Sequence, residues 1–374
     1  MAKALASIAH YSDLSPMFVV WLGLLAFGVV MVASAAVVMP GDYLTRHLMY
    51  LGLALVSFGV AFAIPTTLWR VSYLLILASV FIFCVLVLVP GIGREVNGAS
   101  RWIGFGGFTV QAAEIAKFGV CIYLATYLSK HQMLVVQKPA YLALPLLLIG
   151  GVCGLLVAEP DLGSAVVILA TSVAVLFVAG AKLRYFILLL MLGVGLMYVL
   201  VLIAPYRMER LVAFLDPWSV AYGSGYQLTQ ALIAFGRGEL FGIGLGESIQ
   251  KLYYLPEAHN DFILAVVAEE LGAFGVLVVA GMLTYLVVQL LSLARKNLEL
   301  KNLFAAYVAY FVALLIGIQF LVNLGVNTGA LPTKGLTLPF VSYGGNSLIV
   351  CCALMGVVFR SAMSAEKQEV KTRG

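Results

Sequence analysis

Ten apolar runs, most of them near 20 residues long and carrying few charges, divide this chain, and that pattern constrains its fold more than any other feature. A helix needs about 20 mainly apolar residues to cross a hydrocarbon core of roughly 30 Å. Only a helix or a closed barrel satisfies its own backbone there without water. The runs lie at 17–39, 47–64, 72–90, 111–129, 141–158, 163–180, 186–204, 261–293, 303–324 and 346–360. Composition agrees: 63% of the residues are hydrophobic and 10% charged, against about 45–50% and 25% in soluble domains. The expected fold is an all-α polytopic membrane protein of about ten transmembrane helices, with a long extracytoplasmic loop between helices 7 and 8.

The basic residues orient it. With the N-terminus inside, the inner segments (1–16, 65–71, 130–140, 181–185, 294–302 and 360–374) hold 13 Lys/Arg in 63 residues, and the longer outer segments hold eight. This follows the positive-inside rule and puts both termini in the cytoplasm. The expected organisation is a cytoplasmic tail at 1–16, a membrane domain at 17–360 with a large outer loop at 205–260, and a cytoplasmic tail at 361–374. The loop mixes Tyr206, Trp218, Tyr222, Tyr226, Phe235, Tyr253 and Tyr254 with glycines and charges, a composition suited to a layer at the membrane interface. Ala33-Ser34-Ala35 looks like a signal-peptidase site, but the preceding apolar run is long and only Lys3 charges the N-region, so the segment is expected to remain. The net charge of +5 sits in short tracts and forms no basic stripe, which points to membrane lipids and away from nucleic acid. Cys84, Cys121, Cys153, Cys351 and Cys352 lie in apolar segments without metal-ligand spacing, and read as core residues.

Ionisable groups inside spans are costly and therefore candidates for function. Gln111, Glu114 and Lys117 recur at i, i+3 and i+6 on one helix face, either as an ion pair that joins helices or as a substrate-facing group. Glu257-Ala258-His259-Asn260-Asp261 opens the eighth span. There Asn260 is the expected N-cap and Asp261 falls in the first turn, either as a capping carboxylate or as one that accepts a proton. Glu269 lies about 80° from Asp261 on that helix and Glu270 on the opposite side; both need partners, for which Lys117 and Arg210 are candidates. Arg94, Arg101, Arg207, Arg210, Arg237, Lys251 and Lys334 are outward cations, suited to lipid phosphates or to a bound pyrophosphate. Ser342-Tyr343-Gly344-Gly345 precedes the last span, where paired glycines either make a turn or bare backbone N–H groups to an anion. No Walker-type loop or nucleophile elbow is present.

These clusters, in this order, resemble the SEDS family of shape, elongation, division and sporulation proteins, over nearly the whole chain from about 17 to 360. The resemblance is carried by Val96-Asn97-Gly98-Ala99-Ser100-Arg101-Trp102-Ile103, by Gln111-Ala112-Ala113-Glu114-Ile115-Ala116-Lys117 and by Glu159-Pro160-Asp161-Leu162-Gly163-Ser164. It continues through Asp216-Pro217-Trp218, Gly225-Tyr226-Gln227-Leu228-Thr229-Gln230, Leu255-Pro256-Glu257-Ala258-His259-Asn260-Asp261-Phe262 and Glu269-Glu270-Leu271-Gly272. Pro256-Glu257-Ala258-His259 is closer to the division type than to the elongation type. Ala112 stands where the family usually has proline, Asn260 where it often has threonine, and Asn346 where it often has serine.

The resemblance implies a peptidoglycan glycosyltransferase that polymerises lipid II on the outer face of the bacterial cytoplasmic membrane during septal wall synthesis. It implies Asp261 as the catalytic base. Arg101, Trp102, Glu114, Lys117, Arg210, Gln227, His259, Lys334, Ser342, Gly344 and Gly345 are the expected substrate contacts. Glu159, Asp161, Glu269 and Glu270 are expected as structural or cavity charges. The resemblance names no cofactor and no metal ligand set, and a divalent cation, Mg or Mn, fits a pyrophosphate leaving group. The implied partners are lipid II and the growing glycan, a class B penicillin-binding protein and other membrane proteins of the division machinery. A lipid II flippase, a non-catalytic division scaffold and an elongation-type polymerase are the alternatives.

Overall fold

The computed structural model describes residues 14–37, 41–96, 99–105, 108–203 and 205–373, without the side chains of 96, 99, 105, 108, 196, 197, 200, 203, 205–207 and 364–373. The first 13 residues of the expected N-terminal tail, Asn97 and Gly98 of the first motif, and the Arg207 side chain lie outside the described residues.

Each apolar run falls on one helix. These are α1 (Leu14–Ala36), α2 (Tyr43–Ala63), α4 (Tyr73–Leu88), α5 (Ala112–Gln137), α6 (Ala140–Ala158), α7 (Leu162–Val178), α8 (Leu183–Ile203), α11 (Ile263–Glu299), α12 (Leu303–Asn327) and α13 (Gly345–Arg373). Short α3 (Thr66–Val71) leads into α4. Among the described residues, α1, α2, α6, α11, α12 and the first 19 residues of α13 are long and apolar enough to cross a membrane. The protein is an all-α polytopic membrane protein. Helix α5, with its Glu114 and Lys117, is buried along most of its first 17 residues. Burial by neighbouring helices rather than by lipid is what lets it carry charge.

Packing explains the arrangement. Helices α1, α2 and α13 meet in an aromatic cluster, with the Trp21 and Phe58 rings 4.8 Å apart and Phe58 and Phe359 5.9 Å apart. All five cysteines are buried and free, as core residues.

Three features depart from ten continuous spans joined by loops. Between α4 and α5 lies a three-stranded antiparallel sheet, β1 (Gly93–Val96), β2 (Ala99–Phe105) and β3 (Phe108–Gln111), with Arg94 opposite Trp102 and Trp102 opposite Gln111. The segment 205–260 contains two helices, α9 (Pro205–Leu215) and α10 (Tyr226–Gly238). Helix α11 runs to Glu299 but is broken at Gly272, whose φ of 69° is left-handed. At the break the chain pairs with 239–244: Ala273 N–H donates to the Glu239 carbonyl at 2.9 Å, and Ile243 N–H to the Glu269 carbonyl at 3.0 Å.

Candidate active site

Asp261 sits ahead of α11 in the turn that follows α10 and its trailing loop. The helix begins at Ile263 after Phe262, which makes no side-chain cap. This corrects the expectation that Asn260 caps the helix and Asp261 occupies its first turn: the Asn260 amide instead donates to Glu257 Oε2 at 3.3 Å. The cap comes from another helix. Asn327 of α12 accepts the Ala265 N–H at 3.2 Å through its oxygen and donates to the Asp261 carbonyl at 3.0 Å through its nitrogen. One turn earlier, Asn323 donates to the same carbonyl at 2.9 Å and to the Leu336 carbonyl at 2.7 Å.

The loop before α13 holds the other side of the turn. Ser342 Oγ donates to the Asn260 carbonyl at 2.7 Å and accepts the Leu338 N–H at 2.8 Å, while Tyr343 N–H donates to the His259 carbonyl at 2.9 Å. Gln227 of α10 donates to the Pro256 carbonyl at 3.2 Å. Gly344 accepts the Leu348 N–H through its carbonyl, and Gly345 starts α13 against the Tyr50 ring. Ser342, the Tyr343 N–H and Gln227 therefore frame the Asp261 turn, while the contacts of the paired glycines run to Leu348 and Tyr50 instead.

The carboxylate faces a mixed environment. Asp261 Oδ2 lies 2.8 Å from the point a Cβ would occupy on Gly335, next to Lys334. Lys334 also reaches the start of α7, its Cδ lying 3.9 Å from the corresponding point on Gly163. Removal from water, reinforced by Glu257, pushes the Asp261 carboxyl up to about 7; Arg210 and Arg101 oppose the rise. Arg210 donates to the Thr333 carbonyl at 3.4 Å, so it flanks the loop that carries Lys334 and Gly335. His259 is packed between Tyr43 and Tyr343, at 5.1 and 5.3 Å between centroids, and burial lowers its pKa despite Glu257.

A second cluster sits where the sheet meets the α6–α7 turn. Arg101 donates to the Pro160 carbonyl at 2.6 Å and the Glu159 carbonyl at 3.4 Å. Gln111 donates to Asp161 Oδ2 at 3.2 Å, and Asp161 Oδ1 caps α7 by accepting Ser164 N–H at 3.3 Å. Trp102 is half-buried on β2 beside them. Glu159 is 1% exposed, neither carboxylate oxygen has a hydrogen-bond partner among the described residues, and burial pushes it up to about 8.

Lys117 and Glu114 form a buried pair at 2.7 Å within α5. Glu269 and Glu270 have partners other than the expected Lys117 and Arg210. Glu269 accepts from Ser248 Oγ, from Gln250 N–H at 3.1 Å and from Arg237 Nε at 3.4 Å; Glu270 accepts from Lys251 Nζ at 2.8 Å and from Ser34 Oγ at 2.6 Å. Both acids tie the 239–251 segment to the membrane helices. Sequence reasoning missed Asn323 and Asn327, whose signal was present as two carboxamides one turn apart at the end of an apolar run.

A protein of Coxiella burnetii described as "probable peptidoglycan glycosyltransferase FtsW" is 47% identical over 354 residues, covering 92% of this chain and 95% of that one. Its namesake in Pseudomonas fluorescens is 49% identical over 352 residues, covering 92% and 86%. A chain from a peptidoglycan synthase complex that coordinates polymerization and crosslinking superposes with a TM-score of 0.77 at 29% identity, covering 94% of this chain and 97% of that one. The rod shape determining protein RodA of Thermus thermophilus superposes with a TM-score of 0.69 at 30% identity, covering 93% and 95%. The model of the cell cycle proteins FtsW, RodA and SpoVE matches residues 15–367, and the chain belongs to that family.

Proposed function

We propose that this protein is a peptidoglycan glycosyltransferase of the division type, which polymerises lipid II into glycan strands on the outer face of the cytoplasmic membrane at the septum. The activity is the one named for its FtsW relatives. The observation that carries the mechanism is the Asp261 carboxylate, which is freed from any capping role, half-buried, and raised to about 7. A base with a pKa near the working pH combines a populated basic form with real proton affinity.

In this reading Asp261 accepts the proton of the acceptor 4-hydroxyl as that oxygen bonds to the donor's anomeric carbon. The bond from that carbon to the pyrophosphate breaks on the opposite face, and undecaprenyl pyrophosphate leaves with the electron pair. Arg210 and Arg101 act on Asp261 electrostatically and are the cations nearest in role to the departing charge. Lys334, adjacent to Gly335, joins them. Among the described residues no group of three or more His, Cys, Asp or Glu is arranged to hold a metal ion. A Mg or Mn ion would therefore rest on one or two carboxylates and the substrate's own phosphates.

The partner in this reading is a class B penicillin-binding protein that crosslinks the nascent strand, in keeping with the complex named for the structural relative. The test is polymerisation of fluorescent lipid II by the purified protein with its cognate transpeptidase. Wild type is expected to give long glycan, and an equally folded Asp261→Asn to lose about 10²–10⁴-fold. Equal ladders from both would remove Asp261 from the chemistry. Lipid II translocation without product from wild type would favour a flippase.

A further inference from the structure

The end of the bundle opposite Asp261 carries a cavity of about 460 Å³ between α4, α5 and α6, lined by Tyr73, Tyr123, Tyr127, His131, Tyr141 and Leu144. Tyr127 lies 15 residues into α5 from Ala112, about 22 Å along the helix. The cavity is therefore remote from the residues that frame Asp261. Its volume falls in the range of ligand sites, roughly 300–1,000 Å³.

Several features distinguish it from a packing defect. The Tyr123 side chain is 1% exposed, and its hydroxyl has no hydrogen-bond partner among the described residues. The Tyr127 hydroxyl and His131 Nδ1 are already engaged, with the Tyr141 and Tyr127 carbonyls at 2.7 and 3.1 Å. At the rim, the Lys130 ammonium lies 4.3 Å from the centroid of Tyr73 and is exposed. On the bilayer side, Leu74 and Leu144 are 54% and 50% exposed. The segments at this end carry Arg70, Lys130, Lys138, Lys182 and Arg184 without a single carboxylate between 130 and 140 or 181 and 185.

We propose that this cavity binds one anionic diacyl phospholipid from the leaflet on this side. Its phosphate pairs with Lys130, and an acyl chain runs along Leu144 and Leu148. The tyrosine-lined wall suits the interface between chain and headgroup, where amphipathic rings settle. Positive charge at the rim selects for an anionic headgroup.

The test is native mass spectrometry of the full-length protein released from nanodiscs of phosphatidylcholine with an equal share of phosphatidylglycerol, and in a second set with undecaprenyl phosphate. Wild type is expected to retain one phosphatidylglycerol in preference to phosphatidylcholine. Lys130→Gln should lower that preference about fivefold. Leu144→Trp, which fills the cavity, should abolish retention of either phospholipid. Thermal unfolding of each variant separates loss of lipid from loss of fold. Equal retention by wild type, Lys130→Gln and a folded Leu144→Trp would overturn the proposal. So would preferential retention of undecaprenyl phosphate.

Discussion

The carboxamide of Asn327 donates to the main-chain carbonyl of Asp261 at 3.0 Å and, through its other atom, accepts the Ala265 N–H at 3.2 Å. One side chain on α12 thus fixes both the residue that carries the proposed base and the start of the helix behind it. Replacing it with leucine keeps the volume and removes one partner from each group, while the Asp261 carbonyl keeps Asn323 and the Ala265 N–H keeps the Phe262 carbonyl, so the loss is about 0.5–1.5 kcal/mol per bond. Asn327→Leu is expected to unfold earlier than wild type and to lose polymerisation in excess of its loss of folded protein. Asn327→Asp keeps the acceptor but sets a buried carboxylate against the Asp261 and Asn323 carbonyls, and should be at least as destabilising as leucine near neutral pH. Thermal unfolding alongside a glycan gel measures both effects.

The pH profile follows from Asp261. The base works only when deprotonated, so a pKa of about 7 makes the rate rise through neutrality and level off above it. Glu257 raises that pKa and Arg210 lowers it. Glu257→Gln should shift the rising limb to lower pH, and Arg210→Gln should shift it to higher pH. Initial rates between pH 5.5 and 8.5 test this; limbs unmoved by either change would separate the profile from Asp261.

The Lys117–Glu114 pair, buried within α5, should behave as a unit. Removing one partner leaves an uncompensated charge, at a cost of roughly 3–5 kcal/mol. Glu114→Gln or Lys117→Met alone is expected to reduce folded protein sharply. The double change to Glu114→Leu with Lys117→Met should recover much of the fold, read by detergent-extracted yield and melting temperature.

Docking of 239–251 onto the broken α11 depends on backbone contact. Gly242 has a left-handed φ of 79°, and a Cβ there would collide with the Glu270 carbonyl. Gly242→Ala should therefore separate the segment from α11 and disturb the buried Lys251–Glu270 and Ser34–Glu270 contacts. Faster proteolysis within 239–251 and a lower melting temperature are the expected readouts.

Much of this molecule was legible in the chain. Apolar runs located the helices to within a few residues at most ends, because burial in lipid demands long uncharged stretches and tolerates few alternatives. The charges that break those runs marked Asp261, Glu114, Lys117, Glu269 and Glu270 for the same energetic reason. Partners were a different matter. Glu270 meets Lys251 and Ser34, respectively 19 and 236 residues away, and no local pattern encodes such a pairing. The sheet at 93–111 was hidden because its strands are short and lie between spans.

Asn260 next to Asp261 satisfies every local rule for a helix cap, yet the cap is supplied by Asn327, 62 residues from the N–H it accepts. What the sequence determined by itself is where the chain enters the bilayer and which charges need explanation, since both follow from the cost of moving each residue out of water. What only the tertiary structure decided is which groups meet those charges. Backbone and side-chain hydrogen bonds from α12 and the loop before α13 release Asp261 from the helix, and burial beside Glu257, Arg210 and Arg101 sets its proton affinity.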